Sequence, residues 1–164
     1  MRDSEKRFAR ACWLWEHGKA GEAFRLFSDL AREGHDRARL DLAFFYWQGI
    51  GTRRNRRRAT ELYRELAHAH DPFGATALAT IYRDSGKRRM AERWFKKGVS
   101  WGDDGALLQL AKMYAERESD RGNAIKALRQ VLQPQRTLSE AEEQEAKDLL
   151  ANLSGRHRPA GGGP

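Results

Sequence analysis

The sequence predicts an all-α protein built from a repeated pair of helices. The first observation is an apolar stripe with the spacing of one buried helix face, as in the segment 59–67. The stripe occurs four times, and its copies begin 32 to 36 residues apart, at Ala23, Ala59, Ala91 and Ala124. A period in this range is typical of arrays of helical repeats.

The second observation is another helix pattern that precedes each stripe. In three units it consists of a leucine, an alanine and a tyrosine: Leu42, Ala43 and Tyr46, then Leu78, Ala79 and Tyr82, then Leu110, Ala111 and Tyr114. The matching residues of the first unit are Ala11, Cys12 and Trp15. We therefore predict four pairs, each with an A helix followed by a B helix. The expected ranges are 4–17 and 20–33, 36–48 and 56–69, 72–84 and 88–100, and 104–117 and 121–132.

The residues between the predicted helices agree with this division. Turn-forming glycines fall between helices at Gly34, Gly49, Gly51, Gly86 and Gly102. Asp71 precedes Pro72, an arrangement typical of a helix start. Asp36, Asp103 and Asp104 are expected to cap helices in the same way.

A ninth helix is predicted over 139–153 as a terminal cap of the array. Ser139 and Glu142 form a capping-box pattern at its start. Leucines near its end give an apolar edge, and a repeat array needs a terminal element whose outer face is polar. We predict one helical-repeat domain over residues 1–153 and a disordered tail over 154–164, where the residues are small and polar.

Composition indicates a globular protein in a reducing compartment. The chain has 164 residues, of which 40% are apolar and 33% charged, enough for one domain with a core. Cys12 is the single cysteine, so no disulfide can form within the chain. The N-terminal residues lack the apolar centre of a signal peptide, and no apolar run approaches the ~20 residues of a membrane span. We expect a cytoplasmic protein that does not associate with membranes.

The second repeat resembles a known family. Its pattern, Leu42-Ala43-x-x-Tyr46, then Gly-Ile-Gly at 49–51, then Ala59-x-x-x-Tyr63, is similar to a Sel-one-like repeat, a relative of the tetratricopeptide repeat. The resemblance extends over about residues 5–132. It implies a right-handed α–α superhelical solenoid of about four helix-turn-helix repeats plus a C-terminal capping helix. It also implies that the A helices line a concave groove and that the protein acts as an adaptor or scaffold without catalysis.

Comparison of the repeats with one another separates expected core from expected surface. Positions that stay small are Cys12, Ala43, Ala79 and Ala111, and positions that stay large and apolar are Leu14, Phe45, Ile81 and Met113. We predict that both sets are core. Other A-helix positions change from apolar to charged between repeats, so packing does not dictate them.

In the family, these variable positions face the groove. We therefore expect a partner-binding groove formed by Trp13, Leu40, Phe44, Trp47, Thr80, Arg83 and Lys112. Its N-terminal half would present an apolar patch of the kind that usually marks a partner site. The alternative is that these side chains pack on neighbouring helices, or that the groove is narrow and filled by its own side chains.

The excess positive charge is confined to the middle of the chain. The net charge is +8, and residues 51–100 carry 13 basic and 5 acidic side chains. Because equivalent loops of stacked repeats are neighbours, we expect one basic ridge formed by Arg53, Arg54, Arg56, Arg57, Arg58, Lys87, Arg88 and Arg89. Cations are unfavourable at helix starts, so the ridge suggests an acidic partner or phosphate. The alternative is a solvated surface that keeps the protein soluble.

Two other classes of function are disfavoured. Nucleic-acid binding calls for a basic face interleaved with exposed aromatic residues, whereas here the predicted aromatics lie in the groove and the arginines on an edge. The histidines lack metal-ligand spacing, and the chain has no P-loop, dinucleotide fingerprint or recognisable triad. Cys12 lies at a small packing position and is not expected to be a nucleophile. We predict no catalytic residues, no cofactor and no metal site.

The sequence therefore predicts a non-catalytic protein-interaction module. It is expected to bind a partner protein or peptide with an acidic region in its groove, and a homodimer that buries the same patch is a variant of this prediction. One alternative is an immunity or chaperone-type protein that neutralises a cognate bacterial toxin or effector. Another is nucleic-acid binding through the basic ridge.

Overall fold

The computed structural model describes residues 3–155, and within that range the chain contains helices and turns but no strand. The α-helices are α1 (Asp3–Glu16), α2 (Ala20–Arg32), α3 (Asp36–Gln48), α4 (Arg56–His68), α5 (Pro72–Asp84), α6 (Arg88–Ser100), α7 (Asp104–Ala115), α8 (Arg121–Val131) and α9 (Glu140–Gly155). A single turn of 3-10 helix, Glu118–Asp120, precedes α8. The all-α prediction is confirmed, and every predicted helix is found within two residues of its expected ends.

The C-terminal boundary differs slightly from the expected one. Helix α9 continues to Gly155, two residues beyond the predicted end of the domain. The remainder of the expected tail, residues 156–164, lies outside the described residues. Since the tail was expected to begin at Ser154, only its first two residues are described, and both are helical.

Several helix starts use the predicted caps. The Asp71 carboxylate accepts a hydrogen bond from the Gly74 N–H at 2.6 Å. Ser139 and Glu142 form the expected capping box, in which the Ser139 N–H donates to Glu142 Oε2 at 3.0 Å and the Glu142 N–H donates to Ser139 Oγ at 3.3 Å. These bonds satisfy backbone donors that have no partner within the first helical turn.

The cap predicted at Asp36 is wrong, because His35 holds that position. The His35 Nδ1 atom accepts a hydrogen bond from the Ala38 N–H at 3.2 Å. Its ring is fixed by stacking on Phe8 of α1, with centroids 4.9 Å apart. Asp36 lies inside the first turn of α3 and pairs with Arg39 instead.

The chain divides into two compact units, Met1–Ile81 and Tyr82–Pro164. In unit 1, α1 packs on α2, α2 on α3, and α3 on α4. The centre of its core is a run of three phenylalanines, with ring centroids 5.8 Å apart between Phe8 and Phe27 and 5.2 Å between Phe27 and Phe45. All five stripe residues of α4 are buried, as their spacing predicts.

In unit 2, α6 packs on α7, α7 on α8, and α8 on α9. Its most buried large side chains include Phe95, Leu108 and Met113. Helix α9 buries Ala146 and Leu153 against the unit, and Arg121 donates a hydrogen bond to the Leu153 carbonyl. The acidic first turn of α9 faces solvent, so this helix has the polar outer surface expected of a terminal cap.

The predicted core positions are inside the two units. Six of the eight are buried, and only Cys12 and Ile81 are half-buried. Positions that keep the same residue type in every repeat are therefore core positions in this fold.

The Gly-Ile-Gly turn is fixed by a close approach of two backbones. Gly51 has φ +63°, and a Cβ atom at this residue would overlap the Ala20 carbonyl group at the start of α2. Ile50, the middle residue of the turn, packs against the core of unit 1. Glycine is needed at 51 for both conformation and space.

We expect Gly51→Ala to destabilise unit 1 by at least about 1–3 kcal/mol, because the new methyl group strains the backbone and displaces the start of α2. Urea unfolding followed by circular dichroism measures this. Gly21→Ala is the matched control, since a Cβ at Gly21 meets nothing within 4 Å in α2. Equal stability of the two variants would contradict the proposed backbone contact.

Candidate functional site

The predicted groove residues of α3 lie on one side of the helix. Leu40, Phe44 and Trp47 are spaced at i, i+4 and i+7, which places them on one face. All three are half-buried and pack against the core of unit 1. The inner surfaces of these three side chains therefore pack on neighbouring helices, as the alternative interpretation expected. Only their outer surfaces are open to a partner.

Trp13 is the most accessible of the predicted groove residues. It occupies in α1 the repeat position that Phe44 occupies in α3, and 46% of its surface is exposed. Its indole stacks on the His17 ring with centroids 4.0 Å apart, and His17 Nδ1 lies 2.8 Å from the Trp13 carbonyl oxygen. The site therefore presents an aromatic pair whose orientation is fixed by α1.

Trp15 is a surface residue that the sequence comparison missed. It aligns with Tyr46, whose ring packs edge-on against Phe24 of α2, the preceding helix. Trp15 instead packs against Phe44 and Phe45 of α3, with ring centroids 6.0 Å and 5.4 Å away. It remains 40% exposed. The signal in the sequence was the tryptophan at a position that is tyrosine in the other repeats.

The arginine cluster of unit 1, defined as Arg53, Arg54, Arg56, Arg57 and Arg58, adjoins this aromatic face. The Arg56 guanidinium lies over the Trp47 ring, 5.0 Å from its centroid. Arg54 Nε donates to the Trp47 carbonyl at 3.1 Å. The separation of aromatic and basic residues expected from the sequence does not hold at Trp47.

The remaining cluster members are exposed at the start of α4. Arg57 and Arg58 share the Glu61 carboxylate, each at 3.2 Å, and their hydrogen bonds lower the pKa of Glu61. Arg53 makes no ion pair within the described part of the chain. One carboxylate therefore serves several cations, and the cluster keeps a positive surface.

The basic residues of the next repeat, Lys87, Arg88 and Arg89, belong to unit 2, and they do not form a uniform surface there. Arg88 donates to Glu116 Oε2 at 3.2 Å and to Asp120 Oδ2 at 2.8 Å, and its side chain is only 19% exposed. Arg88 is thus half-buried and paired with two carboxylates of unit 2, so it adds little positive surface there. Lys87 lies over the Tyr82 ring, and Arg89 is exposed.

The predicted groove residues outside α1 and α3 are engaged with their own neighbours. Thr80 Oγ1 donates to the Thr76 carbonyl at 3.0 Å. Arg83 bonds to Asp84 and to Gln109. Lys112 Nζ lies 2.5 Å from Glu145 Oε1 of the capping helix α9. These contacts leave the α1–α3 face as the candidate site.

Asp41 is a half-buried carboxylate on α3, close to Leu40 and Phe44. Burial raises its pKa, and the charges of Arg37 and His35 offset the rise only in part. Burial also raises the pKa of Tyr63 to about 12, with a further contribution from Asp41. The pKa of Cys12 is raised by burial and by Asp41, so its thiol stays protonated and is a poor nucleophile.

Residues 3–155 contain no group of three or more metal-ligating side chains. None of their helices has both the length and the apolar content that crossing a membrane takes.

Solved structures of helical-repeat proteins are similar to this chain. A Sel1 repeat protein from Oxalobacter formigenes matches with a TM-score of 0.71 at 17% identity, over 95% of this chain and 65% of that one. The protein c5321, a protective antigen of uropathogenic Escherichia coli with an SLR fold, matches with a TM-score of 0.69 at 16% identity, over 94% and 38%. TPR-like repeats from Podosopora anserina match with a TM-score of 0.61 at 16% identity, over 96% and 91%.

The chain has a Sel1-like repeat fold. This finding confirms the resemblance seen in the second repeat and the assignment to the helical-repeat solenoids. The chain spans less than two thirds of the length of the first two of these structures. No protein-family model and no curated protein matches the sequence.

We expect Asp41→Asn to raise the free energy of unfolding of the chain at neutral pH. The pKa of Asp41 is raised in the folded state, so ionisation of its carboxyl group opposes folding. This cost in folding free energy grows as the pH rises from the ordinary aspartate pKa of about 3.9 through the pKa of Asp41 in the folded state. The gain of the variant should therefore shrink towards pH 3. Urea unfolding at about pH 7 and about pH 3 measures it.

Asp29→Asn is the matched control, because half of the Asp29 side chain is exposed and its carboxylate pairs with Arg32 on the same helix. It should change stability by less than about 0.5 kcal/mol at either pH. A loss of stability in Asp41→Asn at neutral pH would show that the carboxylate makes a favourable interaction that the structure does not contain.

Proposed function

We propose that this chain is a non-catalytic interaction module that binds a partner protein through the aromatic face of α1 and α3. The observation that carries the proposal is Trp13, whose indole is 46% exposed on a helix whose opposite side is buried. Tryptophan is a frequent hot-spot residue, and an exposed indole next to further apolar surface is typical of a docking site.

A second apolar patch lies beside α3. Trp15 is two residues from Trp13 and projects from a different side of α1. Trp15 contacts Phe44, and Phe44 lies on the same face of α3 as Trp47. The inner parts of Phe44 and Trp47 are anchored in the core. A partner would therefore meet aromatic side chains that are already ordered, which lowers the conformational entropy lost on binding.

The charge of the site supports an acidic partner. Trp47 is in contact with Arg56, so the aromatic face passes directly into the arginine cluster. The five arginines of the cluster outnumber Glu61, the carboxylate that pairs with Arg57 and Arg58. An acidic region beside an apolar anchor would match both parts of the surface, and its attraction to the arginines would mainly raise the association rate.

The described residues favour binding over catalysis. Burial and the charge of Asp41 raise the pKa of Cys12, and the buried Tyr63 hydroxyl is harder to ionise than an ordinary tyrosine. Both changes oppose nucleophile activation, which calls for a lowered pKa or an adjacent base. The role of immunity or chaperone-type protein for a toxin or effector stays a prediction, as does homodimer formation.

Nucleic acid is the second candidate partner, favoured by the contact between Arg56 and Trp47. A base stacks on an aromatic ring, and phosphates follow adjacent cations. The α1 tryptophans lie outside the arginine cluster, whereas a single-strand groove interleaves the two kinds of residue along its length. The protein partner is therefore the primary proposal.

We expect Trp13→Ala to weaken partner capture by roughly thirtyfold, the effect of losing about 2 kcal/mol at a hot spot. Capture is measured from an extract of the native organism, and binding of the recovered partner is then titrated. Reversal of Arg53 and Arg57 to glutamate should slow association at low salt and have little effect at high salt, because charge steering is screened.

Phe73→Ala is the matched control, since Phe73 is 55% exposed in the same unit but lies on α5. It should leave capture unchanged. The reverse pattern, with loss at Phe73 and none at Trp13, would refute the α1–α3 site. If nuclease removes the captured material and the chain itself binds single-stranded DNA, the partner is nucleic acid and not a protein.

A further inference from the structure

Two surface cavities lie at equivalent places in the two units. In unit 1, a cavity of about 280 Å³ lies between α2, α3 and α4. In unit 2, a cavity of about 280 Å³ lies between α6, α7 and α8. Each is a furrow between successive B helices, with the intervening A helix as its floor.

The floors of the two furrows are built from the same residues. Leu42 and Tyr46 of α3 line the first furrow, and Leu110 and Tyr114 line the second at the same repeat positions. The furrow is therefore a product of the repeat, and the chemistry of its walls is what distinguishes one copy from the other.

The walls of the two furrows differ at two positions where the unit 1 furrow has an arginine. Arg39 and Arg58 line its furrow, and the equivalent positions in unit 2 are Leu107 and Asn123. Packing does not require an arginine at either position, because the unit 2 furrow forms without one. The unit 2 furrow has its own cations, Lys96 and Lys126, at other places in its wall.

Three arginines from three different helices meet at the unit 1 furrow. Arg32 comes from α2, Arg39 from α3 and Arg58 from α4, and the fourth charged lining residue is Glu65. The lining thus carries three cations and one carboxylate. The Tyr46 hydroxyl also lines the cavity and has no hydrogen-bond partner within the described part of the chain.

These arginines are held only by local ion pairs. Each contacts one acid three residues away on its own helix: Arg32 with Asp29 at 3.0 Å, Arg39 with Asp36 at 3.0 Å, and Arg58 with Glu61 at 3.2 Å. Such pairs contribute little to stability when they are solvent-accessible. If Arg58 turned to a ligand, Glu61 would keep its bond to Arg57.

We propose that the unit 1 furrow binds a phosphate monoester whose organic part is small and partly apolar. Guanidinium groups match phosphate oxygens with paired, charge-assisted hydrogen bonds. A phosphate dianion in the furrow would compete with the helical acids for these three guanidinium groups. The cavity is larger than one phosphate group, and Ala31, Leu42 and Leu62 give the organic part an apolar wall.

This site is separate from the proposed partner surface. It shares Arg58 with the arginine cluster and no residue with the aromatic face of α1 and α3. The two proposals can therefore fail independently: Trp13→Ala should leave the affinity for the phosphate monoester unchanged.

The test is calorimetric titration of the full chain with phenyl phosphate, inorganic phosphate and benzoate. Phenyl phosphate should bind most tightly, because it supplies both the dianion and an apolar group. The variant Arg39→Leu with Arg58→Asn carries the residues that unit 2 has at these positions, so it should fold normally. It should bind phenyl phosphate about tenfold to a hundredfold more weakly than the native chain.

Arg53→Gln with Arg64→Gln is the matched control, since it removes the same charge from exposed residues outside the furrow. It should bind phenyl phosphate with unchanged affinity. Equal losses in the two double variants would reduce the site to general charge attraction and overturn the proposal. Equal affinity for benzoate and phenyl phosphate, or no heat at millimolar phenyl phosphate, would also overturn it.

Discussion

The structure depends on close packing of successive helices at positions that tolerate only small side chains. Ala43 and Ala111 on the A helices, and Ala59 and Ala124 on the B helices, are completely buried. A larger group at such a position would force the helices apart or strain the core. Each repeat must solve this packing problem with the same residue types, so side chains free to vary are found at the surface.

Repeat spacing was enough to predict the fold because the relevant contacts are local. Helix ends, glycine turns and the Asp71 and Ser139 caps all follow from residues within a few positions of each other. The His35 cap does not, since its ring is held by Phe8, 27 residues earlier in the chain. Arg88 escaped prediction for the same reason, because its carboxylate partners Glu116 and Asp120 come from the next repeat.

The candidate sites needed the structure because they depend on where side chains meet. The sequence identified Trp13 and the arginines as residues without a packing role, but it placed the aromatics and cations on separate surfaces. The contact between Arg56 and Trp47 joins them. Likewise, Arg32, Arg39 and Arg58 are dispersed in the sequence, and only the α2–α3–α4 packing brings them to one cavity.

The central claim is that the variable A-helix residues of unit 1 are the ones that meet a partner. Hydroxyl-radical footprinting of the chain, alone and with its captured partner, tests this most directly, because Trp13 and Phe73 are both exposed aromatics in the same unit. We expect the partner to reduce oxidation of Trp13 and to leave Phe73 unchanged. Protection of Phe73 with continued oxidation of Trp13 would contradict the claim.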